Sequence, residues 1–279
     1  MKKVFIAYAD ETCRYSLERI GKEAKRLGLF DEVLLFTRDS LPEEAKRHPL
    51  INEKRGGGYW VWKPIIIKNV LNDLEDGDIV VYVDSGCTLN KSCVWNMMFR
   101  LLEKYDTVCF QYGDSVPKFK NKGTTSPKMR YWTKRQTIDF FKEKYKSESF
   151  LDFNQIMGGI LFLKGKDNAF LNEWYDLTMS HPELLTDVDS DDAANQYNGF
   201  IAHRHDQSII TPIAEYDQRT LVLPQSMEDY KDSFICASRI RASSKWEFVK
   251  WKIKMHLWAI LGKRGYSLYN AAISKFRRS

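Results

Sequence analysis

GGGYWVWKPIIIKNVLNDLEDGDIVVYVDSGC, residues Gly56 to Cys87, decides the fold. Three successive glycines, Gly56, Gly57 and Gly58, admit backbone conformations closed to residues that carry a Cβ. Pro64 follows where a helix can begin, because its missing N–H is not needed in a first turn. The apolar positions after it predict a helix from Pro64 to Leu74. Asp76-Gly77-Asp78 marks a turn, and IVVYV, Ile79 to Val83, is the kind of β-branched run that forms a strand covered on both faces. Asp84 stands at the carboxyl end of that strand, where Ser85 and Gly86 let the backbone turn. Ligands of open α/β sheets bind outside the carboxyl ends of the strands, so Asp84 is a site candidate by position. An Asp that only caps a turn is the plainer alternative.

On the amino-terminal side, VFIAYA (Val4 to Ala9) predicts a buried strand. Asp10-Glu11-Thr12 supplies cap chemistry for a helix from Cys13 to Leu27, and EVLLFT (Glu32 to Thr37) returns as a second strand. That is a βαβ unit, which builds a parallel sheet with a ligand crevice along one edge. On the carboxyl side, a helix near Cys93 to Lys104 leads into a short strand, Thr107 to Tyr112. Gly113 to Pro127, rich in lysine and glycine, predicts a mobile loop. A helix is expected over Arg130 to Tyr145, and another over Phe170 to Met179. MGGILFLK (Met157 to Lys164), between them, is a strand whose glycines, Gly158 and Gly159, signal a close backbone approach. The fold class is α/β with a central, mostly parallel sheet.

The 279 residues suffice for one large domain or two modest ones, and the net charge of +6 is concentrated toward the carboxyl end, from Lys231 on. Such asymmetry suggests an anionic surface partner. Five cysteines without CxxC spacing indicate neither a disulfide framework nor a zinc site, and fit reduced cytosol. The start, MKKVFIAYAD, has too short an apolar run for a signal peptide, and no segment reaches the roughly 20 apolar residues of a membrane span. The expected location is cytoplasmic, with peripheral attachment to the membrane left open.

Two further stretches carry charge. Asp187, Asp189, Asp191 and Asp192 lack the glycine and terminal glutamate of a calcium loop, and predict a solvated loop. HRHDQSIIT (His203 to Thr211) places Asp206 to cap a helix while His203 and His205 point the same way from an extended approach. A metal or catalytic role and an ordinary helix start both remain open there. Farther on, Trp246, Val249, Ile253, Leu257 and Ile260 form an apolar stripe flanked by Lys245, Lys250, Lys252 and Lys254. The pattern fits a basic amphipathic helix on an anionic membrane, or a helix docked on the main domain.

GGGYWVWKP, GDIVVYVDSGC, NQIMGGILFLK and HRHDQSIIT together resemble GT-A type glycosyltransferases of bacterial and viral capsule and surface-polysaccharide assembly, over roughly Gly56 to Pro212. The order of parts is also similar to the retaining family-8 glycosyltransferases. The resemblance implies a Rossmann-like, nucleotide-sugar-binding GT-A domain over residues 1–240, followed by a basic helical tail over 241–279. It implies hexosyl transfer from a nucleotide sugar, a UDP-sugar first, to a hydroxyl of a growing glycan or lipid-linked acceptor. In the family-8 pattern the strand edge reads Asp-any-Asp and holds Mn²⁺ or Mg²⁺. Here Asp84 matches the first Asp and Gly86 stands in place of the second. A cation at Asp84 would need a further ligand, with His203 or His205 as candidate.

The chemistry that such a transfer needs assigns the remaining roles, and the resemblance that of Gln207. Tyr8 and Asp10 would lie by the base, and Tyr59, Asp84, Ser85 and Gly86 by the donor. Lys63, at a helix start, would neutralise the leaving diphosphate. Trp60, Gln155, Gly158 and Gly159 would line the sugar or acceptor. Asp206 or His205 would be the base of an inverting reaction, and Gln207 would flank the sugar in a retaining one. Against these stand a nucleic-acid-binding module, using the basic and aromatic stretches Lys118 to Arg135 and Lys245 to Lys254, and a non-catalytic sugar-nucleotide-binding protein.

Overall fold

The computed structural model describes residues 1–223 and 233–256. In chain order the elements are β1 (Lys3–Tyr8), α1 (Arg14–Leu27), β2 (Glu32–Phe36), α2 (Glu43–Arg47), the tight turn α3 (Gly56–Tyr59), α4 (Trp62–Asn72), β3 (Ile79–Val83) and β4 (Thr88–Leu89). There follow α5 (Val94–Lys104), β5 (Thr107–Gln111), the single turn α6 (Met129–Trp132), α7 (Arg135–Tyr145), β6 (Ile156–Lys164), α8 (Ala169–Ser180), α9 (Asp206–Tyr216), β7 (Thr220–Leu223) and β8 (Ile235–Cys236).

Six strands form one sheet in the order β2-β1-β3-β6-β5-β7. β1 pairs in parallel with β2 and β3, and β5 with β7, whereas β6 runs antiparallel to both its neighbours. The expected α/β architecture with a mostly parallel sheet is therefore the observed one. Strand order turns at β1, with β2 to one side and β3 to the other, which makes the carboxyl ends of β1 and β3 a switch point. Because β6 runs the other way, it begins where they end, and Gly158 and Gly159 lie at that same edge. The pairing with β5 shifts register there, from Cys109↔Leu161 to Gln111↔Ile156, so β6 bulges across the two glycines.

Both faces of the sheet are covered, as the continuous apolar run of β3 requires. Val80 and Tyr82 pack with Ile66 and Leu71 of α4, Trp174 of α8 and Ile210 of α9. Phe5, Val81 and Val83 pack with Ile20 of α1 and with Trp95 and Phe99 of α5. Phe234 and Ile235 complete this second layer, β8 pairing with β4. The chain then stays docked through Ala242, whose carbonyl accepts from the Ser16 amide at 3.1 Å.

Residues 113–127 are more ordered than their composition suggests. Val116 and Phe119 are buried, Phe119 lies 4.6 Å from the Trp132 ring, and a 3₁₀ turn spans Pro117–Lys122. Helical residues 245–256 have two unlike faces. Phe248 packs on Tyr15 and under Arg19, while Trp246 is 63 % and Ile253 47 % exposed on the opposite side. Leu257, Ile260 and the rest of the predicted tail lie outside the described residues. Among the described residues no helix is long and apolar enough to cross a membrane.

Candidate functional site

Four segments meet at the switch point. β3 delivers Asp84, the start of β6 delivers Gly158 and Gly159, the first turn of α4 delivers Lys63, and α9 begins with Asp206. The Lys63 ammonium donates to Asp206 Oδ2 at 2.7 Å and to the Gly158 carbonyl at 2.9 Å, and lies 3.7 Å from Asp84 Oδ1. The Tyr82 hydroxyl donates to Asp84 Oδ1 at 2.5 Å. The glycines make room for both carboxylates. A Cβ on Gly159 would stand 2.5 Å from Asp84 Oδ2, and one on Gly158 3.0 Å from Asp206 Oδ2. Asp84 is the open member of the cluster, its side chain 46 % exposed, against 7 % for Asp206 and 2 % for Lys63.

This arrangement corrects three expectations. Burial works against the Lys63 ammonium, but Asp206 and Asp84 outweigh it, so its pKa stands raised and the group is a fixed cation. Two of its three N–H groups are spent on protein oxygens and the side chain is buried, so it is not open to meet a diphosphate as expected. Asp206 does not cap α9 either: His205 occupies the cap position, and Asp206 Oδ1 accepts from the Gln207 amide at 3.0 Å. With the other oxygen held by Lys63 and the side chain buried, Asp206 is not placed to take a proton from an acceptor hydroxyl.

His205 has left-handed backbone, φ 50°, and a buried ring with both nitrogens engaged. Nδ1 donates to the Leu185 carbonyl at 2.8 Å, and Nε2 accepts from Arg55 Nε at 2.8 Å. Burial holds its pKa below the usual value, and the neutral ring stacks on Trp60. It is therefore not a free base. His203 lies beside it with Nε2 donating to the Leu184 carbonyl and Nδ1 accepting from the Lys134 amide. Burial pushes its pKa well below the usual value. With both nitrogens spent on backbone groups, His203 does not join Asp84 as a metal ligand. Among the described residues no three His, Cys, Asp or Glu gather to hold a metal ion. The residues do not fit the expected Asp84–His203 pair, and no step below runs through Mn²⁺ or Mg²⁺.

The glycine turn forms the side wall. Gly56, Gly57 and Gly58, then Tyr59 and Trp60, all have positive φ, a left-handed run that costs roughly 1–2 kcal/mol for each residue other than glycine. Gly58 must lack a Cβ because Ile51 Cα would stand 2.8 Å from it. The turn is tied down by Tyr59, whose hydroxyl donates to Asp187 at 2.9 Å, and by Arg55, which pairs with the same carboxylate. Asp187 thus leaves the solvated acidic run, while Asp189, Asp191 and Asp192 stay exposed. The turn also passes Tyr8 and Asp10. An added Cβ at Gly57 would lie 3.6 Å from Tyr8 Oη and 3.8 Å from Asp10 Oδ2. Tyr8 packs on Trp62 with ring centroids 3.9 Å apart, and its hydroxyl is buried.

The other expected residues fall differently. Gln155 is not at the surface for a sugar: it is buried, with its amide donating to the Trp132 carbonyl at 3.2 Å and facing Thr133 and Ser208. Gln207 is half-buried, donating to the Ile156 carbonyl at 2.7 Å. Ser85 is buried with its carbonyl accepting from Arg19, and Gly86 is covered by the backbone of Arg239 and Ile240. Sequence reasoning missed Tyr82, which orients Asp84, and Arg204, whose guanidinium lies over the Phe119 and Trp132 rings at 4.4 and 4.3 Å. A signal existed for Arg204, since it sits inside HRHDQ.

No protein-family model and no curated protein sequence matches the chain. Solved structures similar to it include a glycosyltransferase involved in glycosylating the major capsid of PBCV-1 (TM-score 0.42, 9 % identity, 80 % of this chain and 82 % of that one). Mouse xyloside xylosyltransferase 1 is similar at TM-score 0.40 and 12 % identity, over 80 % of this chain and 85 % of that one. So is 4-diphosphocytidyl-2C-methyl-D-erythritol synthase of Anaerococcus prevotii, at 0.40 and 12 %, over 89 % and 95 %. These likenesses are distant.

Proposed function

We propose that the chain is a glycosyltransferase of the GT-A type that moves a sugar, from a UDP-sugar first among nucleoside diphosphate sugars, to a hydroxyl of a glycan or lipid-linked acceptor. The observation that carries this reading is Asp84, an exposed carboxylate fixed by Tyr82 and Lys63 over two glycines at the switch point of an open α/β sheet. A carboxylate so held accepts hydrogen bonds from vicinal hydroxyls, and a floor without side chains lets a flat sugar and its phosphate approach the backbone. The nucleobase would lie near Tyr8, Asp10 and Gly57. Asp206 acts through Lys63, keeping the ammonium charged beneath Asp84. In the transfer, the bond from the anomeric carbon to phosphate oxygen breaks and its electron pair stays with the diphosphate. The acceptor oxygen forms the new bond, and its proton passes to the departing diphosphate, the proton acceptor that the reaction itself supplies.

A capsule or other surface glycan as acceptor fits a protein that works beside a membrane, and the exposed Trp246 and Ile253, between Lys250 and Lys252, suit an anionic membrane surface. The nucleic-acid alternative is not favoured: Lys128 and Arg130 pair with Asp152, and Arg135 with Asp139, so those cations are already partnered.

The test is a thermal-shift panel of uridine, guanosine and cytidine diphosphates and their sugars, with and without Mn²⁺. A ligand at 100 times its dissociation constant stabilises the native state by about 2.7 kcal/mol. Hydrolysis or transfer of the responding donor is then compared in Asp84→Asn, expected to fold normally and lose turnover. If no nucleoside diphosphate stabilises the protein, or Asp84→Asn turns over as wild type, the proposal is wrong. NMR of the first-formed product assigns retention or inversion, and chelation assigns the part played by Mn²⁺ or Mg²⁺.

A further inference from the structure

We infer that the strand edge at Asp84 takes its ligand without a divalent cation, because main chain fills the place of a second metal-binding carboxylate and an ammonium already stands beside the first. The application to sugar transfer rests on the function proposed above, while the closed cation site rests on the edge itself. The Asp-any-Asp pattern that Asp84-Ser85-Gly86 resembles would put its metal-binding carboxylate at residue 86. There is no room for one. A Cβ there would stand 3.3 Å from the Ile240 carbonyl oxygen and 3.4 Å from both Arg239 Cα and the Ile240 nitrogen, so a side chain would run into main chain instead of the crevice. Displacing packed main chain is costly. This cover is also fastened. The Ile240 amide donates to the Gly86 carbonyl at 2.9 Å, the Ser238 hydroxyl to the same oxygen at 3.2 Å, and the Ser16 hydroxyl to the Ile240 carbonyl at 2.9 Å. Arg19 holds the Ser85 carbonyl, also at 2.9 Å. The missing carboxylate is therefore more than a single substitution, since a remote segment has closed over its place.

The first carboxylate is half committed. Asp84 Oδ1 accepts from the Tyr82 hydroxyl at 2.5 Å and lies 3.7 Å from the Lys63 ammonium. A dication on Oδ2 would meet the field of that ammonium, which is buried and held in place by Asp206 and the Gly158 carbonyl. Asp206 adds no ligand, because Lys63 and the Gln207 amide take its two oxygens. The ring nitrogens of His203 and His205 are spent as well. Mg²⁺ and Mn²⁺ favour a shell of oxygens, to which a nucleotide site adds one or two carboxylates besides the phosphates. Among the described residues this edge offers one oxygen next to a fixed cation. In the transfer, the acceptor's proton passes to the departing diphosphate and offsets charge that a metal would otherwise carry. Asp84 Oδ2 is left to accept from sugar hydroxyls.

The experiment titrates Mn²⁺ alone, UDP alone and UDP with Mn²⁺ into chelator-treated wild type, Asp84→Asn and Gly86→Asp, by calorimetry and thermal melts. Mn²⁺ alone is expected to leave the wild-type melting temperature unchanged, since only a ligand of the native state raises it. UDP is expected to bind wild type with the same affinity, within twofold, in EDTA and in Mn²⁺. Gly86→Asp restores the Asp-any-Asp pattern in sequence, and should melt below wild type and gain no stability from Mn²⁺. Three results each overturn the inference: Mn²⁺ binding to wild type that is lost in Asp84→Asn, a tenfold or greater loss of UDP affinity on chelation, or a Gly86→Asp that melts as wild type and is stabilised by Mn²⁺. If a nucleotide sugar is turned over only with Mn²⁺, the inference fails and the transferase stands. If no nucleoside diphosphate binds with or without Mn²⁺, the transferase fails, and the titrations of Mn²⁺ alone decide the edge.

Discussion

Replacing Lys63 by Met tests the centre of the site through stability alone. The methionine fills nearly the same space but removes the cation that lies 2.7 Å from Asp206 and 3.7 Å from Asp84. Asp206, only 7 % exposed, is left as a carboxylate without its counter-ion, and the Gly158 carbonyl loses its donor. Breaking a buried pair from one side costs about 3–5 kcal/mol, because the remaining charge is stranded. For a chain of this size that is roughly 6–20 °C in melting temperature, at about 2–4 °C per kcal/mol. Asp84 adds little to the loss, since at 46 % exposure water can replace the lysine. The second change, Asp206→Asn in the Lys63→Met background, removes the stranded charge and should recover about 2 kcal/mol or more. Urea unfolding followed by tryptophan fluorescence measures all three proteins, and Trp62 lies next to the altered side chain. A Lys63→Met cost below about 1 kcal/mol, or a double variant no more stable than the single, would refute a buried Lys63–Asp206 pair.

Gly159→Ala places a methyl group 2.5 Å from Asp84 Oδ2 and must push that exposed carboxylate aside; a cost of about 1–3 kcal/mol is expected together with loss of donor binding, and unchanged affinity would count against Asp84 as a ligand contact. His203 and His205 titrate lower in the native state than the ordinary value near 6.5, so the unfolded chain binds more protons just below that pH. Stability should be complete above about pH 6.5 and fall as pH drops below it, before carboxylates titrate near 4; a urea midpoint unchanged between pH 7.5 and 5.5 would contradict this. Binding to vesicles with anionic lipid, and not to neutral ones, is expected and should drop in Trp246→Ser/Ile253→Ser; equal sedimentation of the variant with anionic vesicles would remove the membrane face.

Sequence alone located five of the six strands of the main sheet because their signals are local, and did not single out the edge strand β7. Ile79 to Val83 is a strand over the expected residues, and the βαβ unit at the amino terminus follows from periodicity and cap residues within 40 positions. The direction of β6 was not legible, since an apolar strand carries the same pattern whichever way its neighbours run. The site was half legible. Position on the sheet edge singled out Asp84, and the glycine pair pointed to a close approach that proves to be two carboxylates. Lys63 was misjudged because a helix start advertises an anion site, whereas partners 21 and 143 residues away consume its donors. His205 looked like a free base for the same reason: Arg55 and Leu185, which occupy its nitrogens, are remote in sequence.

The cover over Gly86 has a bearing on when the site comes into being. Residues 3–83 hold the first βαβ unit and the strand that ends at Asp84, all of it early in synthesis. Arg19 already holds the carbonyls of Ser85 and Cys87, but the cover over the loop after Asp84, from Ile235, Cys236 and Ile240, arrives some 150 residues later and is pinned at Ile240 by Ser16. On a ribosome adding about 5–20 residues per second, that is a gap of roughly 8–30 seconds in which the sheet can exist with its crevice unfinished. A nascent chain stalled before residue 235 would carry every residue of the Asp84–Lys63–Asp206 cluster and still lack the strand that holds the rim in place.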